Sequence, residues 1–195
     1  MTNDLFHSLS IDFIKDWKTT VDLLDEGKYS FLPLVDSMAV AAANLDYENL
    51  YQSYNNLFMP FSKNYVSPYE MECVKDTPSH SMTVQAELSD VAGFYNAFGL
   101  TTSTNAPDRV DHISTQLEFM HYMALKESEA IENQNLEHLE IVCEAEKKFM
   151  TDHLGRWATI YAERIEKQDS NGFYGALSRL LTLWIETDLL MIYEN

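Results

Sequence analysis

Apolar positions recur at spacings of three and four along almost the whole chain, the period of a single helix face. Phe13, Ile14, Trp17, Val21 and Leu24 define a first segment, closed by Gly27. Leu34, Val35, Met38, Ala41, Ala42 and Leu45 define a second, rich in small residues and suited to close packing. Leu50, Tyr51, Tyr54, Leu57 and Phe58 form a third, which Pro60 ends. Ser67-Pro68-Tyr69-Glu70 reads as a helix start, with serine as cap, proline first in the helix and glutamate completing a capping box. A helix is therefore expected from Ser67. Another is expected from Met82 to Phe98, with Val84, Leu88, Val91, Tyr95 and Phe98 on one face and Gly99 just past its end.

The stretch Leu100–Pro107 is rich in Thr, Ser and Asn and has no period, so it reads as a linker. Beyond it, Val110, Ile113, Leu117, Met120 and Ala124 resume the helical repeat. Lys126–Gln134 is acidic and reads as a solvated loop. Leu136, Leu139, Val142, Cys143, Phe149, Met150 and Leu154 predict a long helix that Gly155 interrupts. Trp157, Ile160, Tyr161 and Ile165 carry the pattern to the break at Asn171-Gly172. A last helix holds Tyr174, Leu177, Leu180, Leu181, Trp184 and Leu189. No strand alternation and no internal repeat is visible. The expected architecture is all-α: one globular domain of roughly nine or ten helices. Its halves, residues 1–103 and 104–195, meet at a hinge near Thr101–Pro107, which could permit a domain-swapped dimer as well as a monomer.

Composition narrows the function classes. Apolar residues make up 46% and aromatics 12%, too much for a disordered chain. Six glycines and five prolines leave little for the turns of a β-sandwich. Thirteen basic residues stand against 31 acidic ones, a net charge of −18. That charge disfavours nucleic acid and anionic membranes and would attract a basic partner; solubility alone would also account for it. The strongly apolar stretches, near Met38–Ala43 and Leu180–Ile185, are too short to span a bilayer. The start MTNDLFHSLS has neither a basic head nor an apolar core, so no secretory signal is read there. Cys73 and Cys143 form no CxxC and suit a reducing compartment as half-buried small residues, Cys143 in particular as a core thiol. The expectation is a soluble cytoplasmic protein.

Motifs for catalysis are sparse. Glu118 and His121 have the Glu-x-x-His spacing of di-iron bundles, but the second such motif that a bundle needs is absent. No zinc pattern, glycine-rich phosphate loop or Gly-x-Ser-x-Gly occurs. His112 beside Asp111 could pair a general base with a carboxylate. Neighbours on a helix point about 100° apart, however, so the two would not bond each other directly. The plain alternative makes Asp111 a helix cap. Tyr65, Tyr69, Tyr95, Trp157, Tyr161, Tyr174 and Trp184 supply rigid amphipathic rings of the kind that fill cores and anchor peptide grooves.

Several motifs, taken in order, carry a resemblance from about Tyr47 onward. They are Tyr54-Asn55-Asn56-Leu57-Phe58, Ser67-Pro68-Tyr69-Glu70, Tyr95 with Phe98-Gly99-Leu100, and Asp111-His112 with Leu117-Glu118-Phe119. Phe149 with His153-Leu154 and Trp157, then Phe173-Tyr174-Gly175-Ala176-Leu177, complete the set. The series resembles the TorD/DmsD/NarJ group of redox-enzyme maturation chaperones, whose hallmark is a proline and an Asp-His pair leading into a helix. Two departures stand out: the group usually has Pro two residues before the Asp, whereas Pro107 lies four before Asp111, and Met71 stands where its signature often has Ser. The resemblance implies an all-α chaperone without catalytic residues, metal or cofactor of its own. It implies a client, the catalytic subunit of a molybdopterin-containing oxidoreductase of the DMSO reductase type. The chaperone would bind the client's twin-arginine signal peptide or apoprotein until the cofactor is inserted. The residues implied in client binding are Asp111, His112, Tyr69, Glu70, Trp157, Tyr95 and Glu118. Asp111 would meet an arginine, Tyr69 and Trp157 would rim an apolar groove, and His112 would tune local charge with pH. The rival expectation is a small all-α oxidase or hydrolase built on His112/Asp111 or Glu118/His121.

Overall fold

A computed structural model describes residues 14–22, 31–43, 46–75, 83–101 and 109–194. The expectations placed on Phe13, Leu24, Gly27, Leu45, Met82 and the 102–107 part of the linker lie outside these residues. The described residues are helical apart from turns and one isolated β-bridge, as the apolar period requires. Helix α1 covers 14–22. It is followed by α2 (Phe31–Ala43), α3 (Tyr47–Phe58), α4 (Glu70–Val74) and α5 (Val84–Ala97). Then come α6 (Ile113–Glu132), α7 (Leu136–Phe149), a π-helical turn (Met150–Leu154), α8 (Gly155–Gln168) and α9 (Phe173–Glu194).

Local chemistry sets most of these ends. Asp46, Thr83 and Asn135 cap α3, α5 and α7 by accepting backbone N–H groups of Asn49, Ala86 and His138. Gly99, at φ +74°, ends α5 in a Schellman turn: its N–H reaches the Asn96 carbonyl and the Leu100 N–H reaches that of Tyr95.

Three boundaries differ from the sequence reading. Helix α4 starts at Glu70 rather than Ser67, and the capping box does not form, because 68–70 is drawn into a backbone bridge and Glu70 is buried among distant partners. Lys126–Glu132 is helix rather than loop: Glu, Lys and Ala are strong helix formers, Ala130 is buried, and Lys126 pairs with Glu129. A second Schellman turn, with the Asn135 N–H on the Ala130 carbonyl, then ends α6. The interruption expected at Gly155 is a π turn just before it, and it carries the buried His153.

The chain forms two compact units, residues 1–67 with 159–191, and 68–158 with 192–195. Their boundaries fall after Ser67 and inside α8, after Ala158, rather than near residue 103. In the first unit, Ile14, Val35, Met38, Ala42, Ala176 and Leu180 form the buried centre, with Trp17, Phe31 and Phe173 packed around it. In the second, Phe94, Tyr95, Phe119 and Phe149 pack as an aromatic cluster, the Phe119 and Phe149 rings 4.6 Å apart edge to face. Cys73 is buried, whereas Cys143 is exposed and not the core thiol expected: Val142, one residue earlier, takes the inward position. No helix among the described residues is long and apolar enough to cross a membrane.

Candidate functional site: a clasp between the starts of two helices

The second unit joins the entries of α4 and α6, which lie about forty residues apart in sequence. Tyr69 and His112 form an antiparallel bridge. The Glu70 N–H donates to the Asp111 carbonyl (3.0 Å) and the Ile113 N–H to the Pro68 carbonyl (2.9 Å). Across this bridge the Tyr69 and His112 rings meet edge to face at 5.2 Å. His112 caps α6: its Nδ1 accepts the Ser114 N–H at 3.2 Å and lies 2.7 Å from the Ser114 hydroxyl. Asp111 does not cap its own helix. Its Oδ2 accepts the Met71 N–H in the first turn of α4 at 3.2 Å. From the far side, the Tyr95 hydroxyl donates to the Val110 carbonyl at 2.8 Å. Burial, reinforced by the charges of Glu70 and Asp111, pushes the Tyr95 phenol well above its ordinary value, so it stays a donor.

Asp111 has no exposed surface, yet it is not a bare charge. Arg109 grips it with a two-pronged contact, Nε to Oδ1 at 2.9 Å and Nη2 to Oδ2 at 2.8 Å. The same guanidinium reaches Glu72 Oε1 through Nη1 at 3.3 Å and lies over the Tyr69 ring, 4.3 Å from its centre. Arg109 stands two residues before Asp111, the place that the resembling group usually gives to proline.

Behind the clasp lies a buried polar network. Glu70 receives Gln116 Nε2 on Oε2 at 2.6 Å and Arg156 Nη2 on Oε1 at 3.1 Å, with His153 Nδ1 3.4 Å from Oε1. Gln116 in turn accepts the Trp157 indole N–H at 2.9 Å. His153 Nε2 faces Asp90 at 3.2 Å, and Arg156 also reaches Glu87 at 3.4 Å. A carboxylate with no exposed surface is tolerable only when surrounded in this way.

The structure thus separates the candidate residues. Tyr69 and His112 are partly exposed and Glu118 is exposed on α6. Asp111, Glu70, Tyr95 and Trp157 are buried and hold the frame behind them. Trp157 lies in the core of its unit rather than on a rim. Arg109, Glu72, Gln116, Glu87, His153 and Arg156 were not singled out from the sequence for this site. One signal was present: Gln116 falls on the inward stripe of Ile113, Met120 and Met123, and Glu87 on that of Val91 and Tyr95, so each is a polar residue in an apolar row.

Among the described residues, two sets of side chains offer metal-ligating atoms within 4.8 Å of one another. In the Glu70–Glu87–His153 set, the Arg156 guanidinium already stands between the carboxylates, and a metal ion would have to displace that cation. In the Glu127–Cys143–Glu146 set, partial desolvation and the two carboxylates push the Cys143 thiol up, and its Sγ lies 3.7 Å from Glu127 Oε1. The Asp111 and His112 side chains go to different partners, so no base-and-orienter pair forms between them.

Comparison with known proteins defines the class. Residues 23–163 match the family described as nitrate reductase delta subunit, and the chain belongs to this family, that of the TorD-like redox-enzyme maturation chaperones. It is a family of chaperones rather than catalysts. Among relatives, the chain is 24% identical over 163 residues to the chaperone protein TorD of Shewanella piezotolerans, covering 80% of this chain and 69% of that one. It is 25% identical over 170 residues to TorD of Vibrio parahaemolyticus, covering 82% and 74%. It is 27% identical over 104 residues to a perchlorate reductase assembly chaperone of Dechloromonas aromatica, covering 52% and 45%. No solved structure matches the chain.

Proposed function

We propose that this protein is the assembly chaperone of a molybdopterin-containing oxidoreductase of the DMSO reductase type. It binds the client's twin-arginine signal peptide or apoprotein in the cytoplasm until the cofactor is inserted. The observation that carries this reading is the match to the chaperone family over residues 23–163, with assembly chaperones among the relatives. The clasp supports it. Tyr69 and His112 offer aromatic edges at a partly exposed surface next to Glu72 and Arg109, and Glu118 adds a charge on α6. A net charge of −18 favours encounter with an arginine-bearing segment over long range.

Affinity capture of the chain from its own cells, read by mass spectrometry, tests the client. The expected result is enrichment of a molybdopterin oxidoreductase subunit. Calorimetric titration with a synthetic Arg-Arg signal peptide, and with its Lys-Lys counterpart, tests the peptide. The Arg-Arg form should bind more tightly, and its binding should weaken with salt, chiefly through slower association. Capture of no redox enzyme together with no peptide heat would refute the reading.

A further inference from the structure

We propose that Asp111, Glu72 and Tyr69 form a receptor for one guanidinium group and that Arg109 closes it from within, as a latch that an incoming arginine replaces. The ligand chemistry is already displayed. Asp111 presents both carboxylate oxygens to the fork of a guanidinium, at 2.9 and 2.8 Å. Glu72 takes a third N–H at 3.3 Å, and Tyr69 supplies a ring face at 4.3 Å from the guanidinium carbon. Planar, bidentate recognition of this kind selects arginine over lysine. The occupant differs from its receptor in exposure: the Arg109 side chain is 42% exposed and that of Asp111 is 0%. The outer group can therefore leave into water, while the inner one is fixed by the Met71 N–H behind it.

Displacement by a client arginine leaves Asp111 and Glu72 paired in both the latched and the client-bound states, so the two end states each satisfy the buried carboxylate. A latch also lowers apparent affinity, because only the fraction of molecules with Arg109 out can receive a ligand. Exchange thus favours clients with additional apolar contacts and disfavours stray arginines. This inference rests on the proposed client-peptide reading for the biological source of the arginine. It stands on the geometry of the clasp for the receptor itself.

The test compares the wild-type chain, Arg109→Ala and Arg109→Lys with two probes: the Arg-Arg peptide, and ethylguanidinium against ethylammonium. Arg109→Ala should bind the Arg-Arg peptide about tenfold more tightly than wild type or better, if the latch is open in roughly a tenth of molecules or fewer. The Lys-Lys peptide should gain much less. Ethylguanidinium should raise the melting temperature of Arg109→Ala but not of wild type, and ethylammonium should do neither. Arg109→Lys keeps a cation for folding but lacks the fork. It should fall between the two, and decides the matter if the alanine variant folds poorly. Adding Asp111→Asn to either variant should abolish the gain.

Equal peptide affinity in wild type and both variants would overturn the latch while leaving peptide binding intact. Absence of peptide binding in all three chains would instead sink the proposed function. In that case the small cations decide the latch: a guanidinium-selective rise in Arg109→Ala or Arg109→Lys sustains it, and no rise overturns it.

Discussion

Asp111 caps a helix from forty positions away in the chain: its Oδ2 accepts the Met71 N–H at 3.2 Å while the same carboxylate holds Arg109. One side chain thus fixes the entry of α4 and neutralises the group in front of it. Asp111→Ala is expected to cost about 2 kcal/mol or more, since it removes a cap and one partner of a charge pair. Asp111→Asn keeps an acceptor for Met71 and should cost less. Urea unfolding of the two variants checks the order. A loss of binding in Asp111→Ala is therefore interpretable only beside its unfolding curve, whereas Arg109 probes the surface without removing the cap.

Gln116 bridges Glu70 and Trp157 in the interior of the second unit. Gln116→Leu strips a donor from Glu70 and an acceptor from the indole at once. Each buried group left unpaired costs about 1–3 kcal/mol, more when it is charged. The expected outcome is a lowered unfolding midpoint together with altered Trp157 fluorescence. An unchanged midpoint would show that water replaces Gln116.

Two glycine substitutions should have opposite signs. A Cβ on Gly175 would stand 2.0 Å from the Asp169 carbonyl oxygen, where backbone cannot yield cheaply. Asp169 also holds the start of α9 by accepting the Tyr174 and Gly175 N–H groups. Gly175→Ala should destabilise by about 1–3 kcal/mol or more. Gly93 lies in the exposed face of α5 with nothing within 4 Å of its would-be Cβ. Gly93→Ala should stabilise by about 0.5–1 kcal/mol. Thermal melts of both variants give the comparison.

Alkaline pH should loosen the fold through two tyrosines. Burial, then the neighbouring charges of Glu70 and Asp111, raises the Tyr95 phenol; burial, then Tyr54 and Asp169, pushes Tyr174 up to about 12. Above the ordinary value of 10.0 the unfolded chain loses these protons while the folded chain keeps them. Their contribution to stability is therefore complete below that pH and falls as pH rises from there toward the folded values. Absorbance titration at the phenolate band should show late-titrating tyrosines, fewer by one in Tyr95→Phe. That variant should also lose about 0.5–1.5 kcal/mol at neutral pH, with its bond to the Val110 carbonyl.

Helical class, the ends at Pro60 and Gly99, and the break at Asn171-Gly172 were legible in the chain, because period and backbone-restricted residues act locally. Membership of the chaperone family was legible too, through motifs read in order. Contacts across long separations were not. Ser67-Pro68-Tyr69-Glu70 has every local mark of a helix start, yet the bridge to residues 111–113 moves that start to Glu70. Sequence spacing let Asp111 cap α6; the fold assigns that cap to His112 and turns Asp111 toward α4 and Arg109. Trp157 reads as a groove aromatic because amphipathic rings suit both core and surface, and only burial against Gln116 decides between them. Periodicity tells which side of a helix faces inward. Only the tertiary arrangement tells what waits there, because a buried polar group takes its partner from whichever distant element is packed against it.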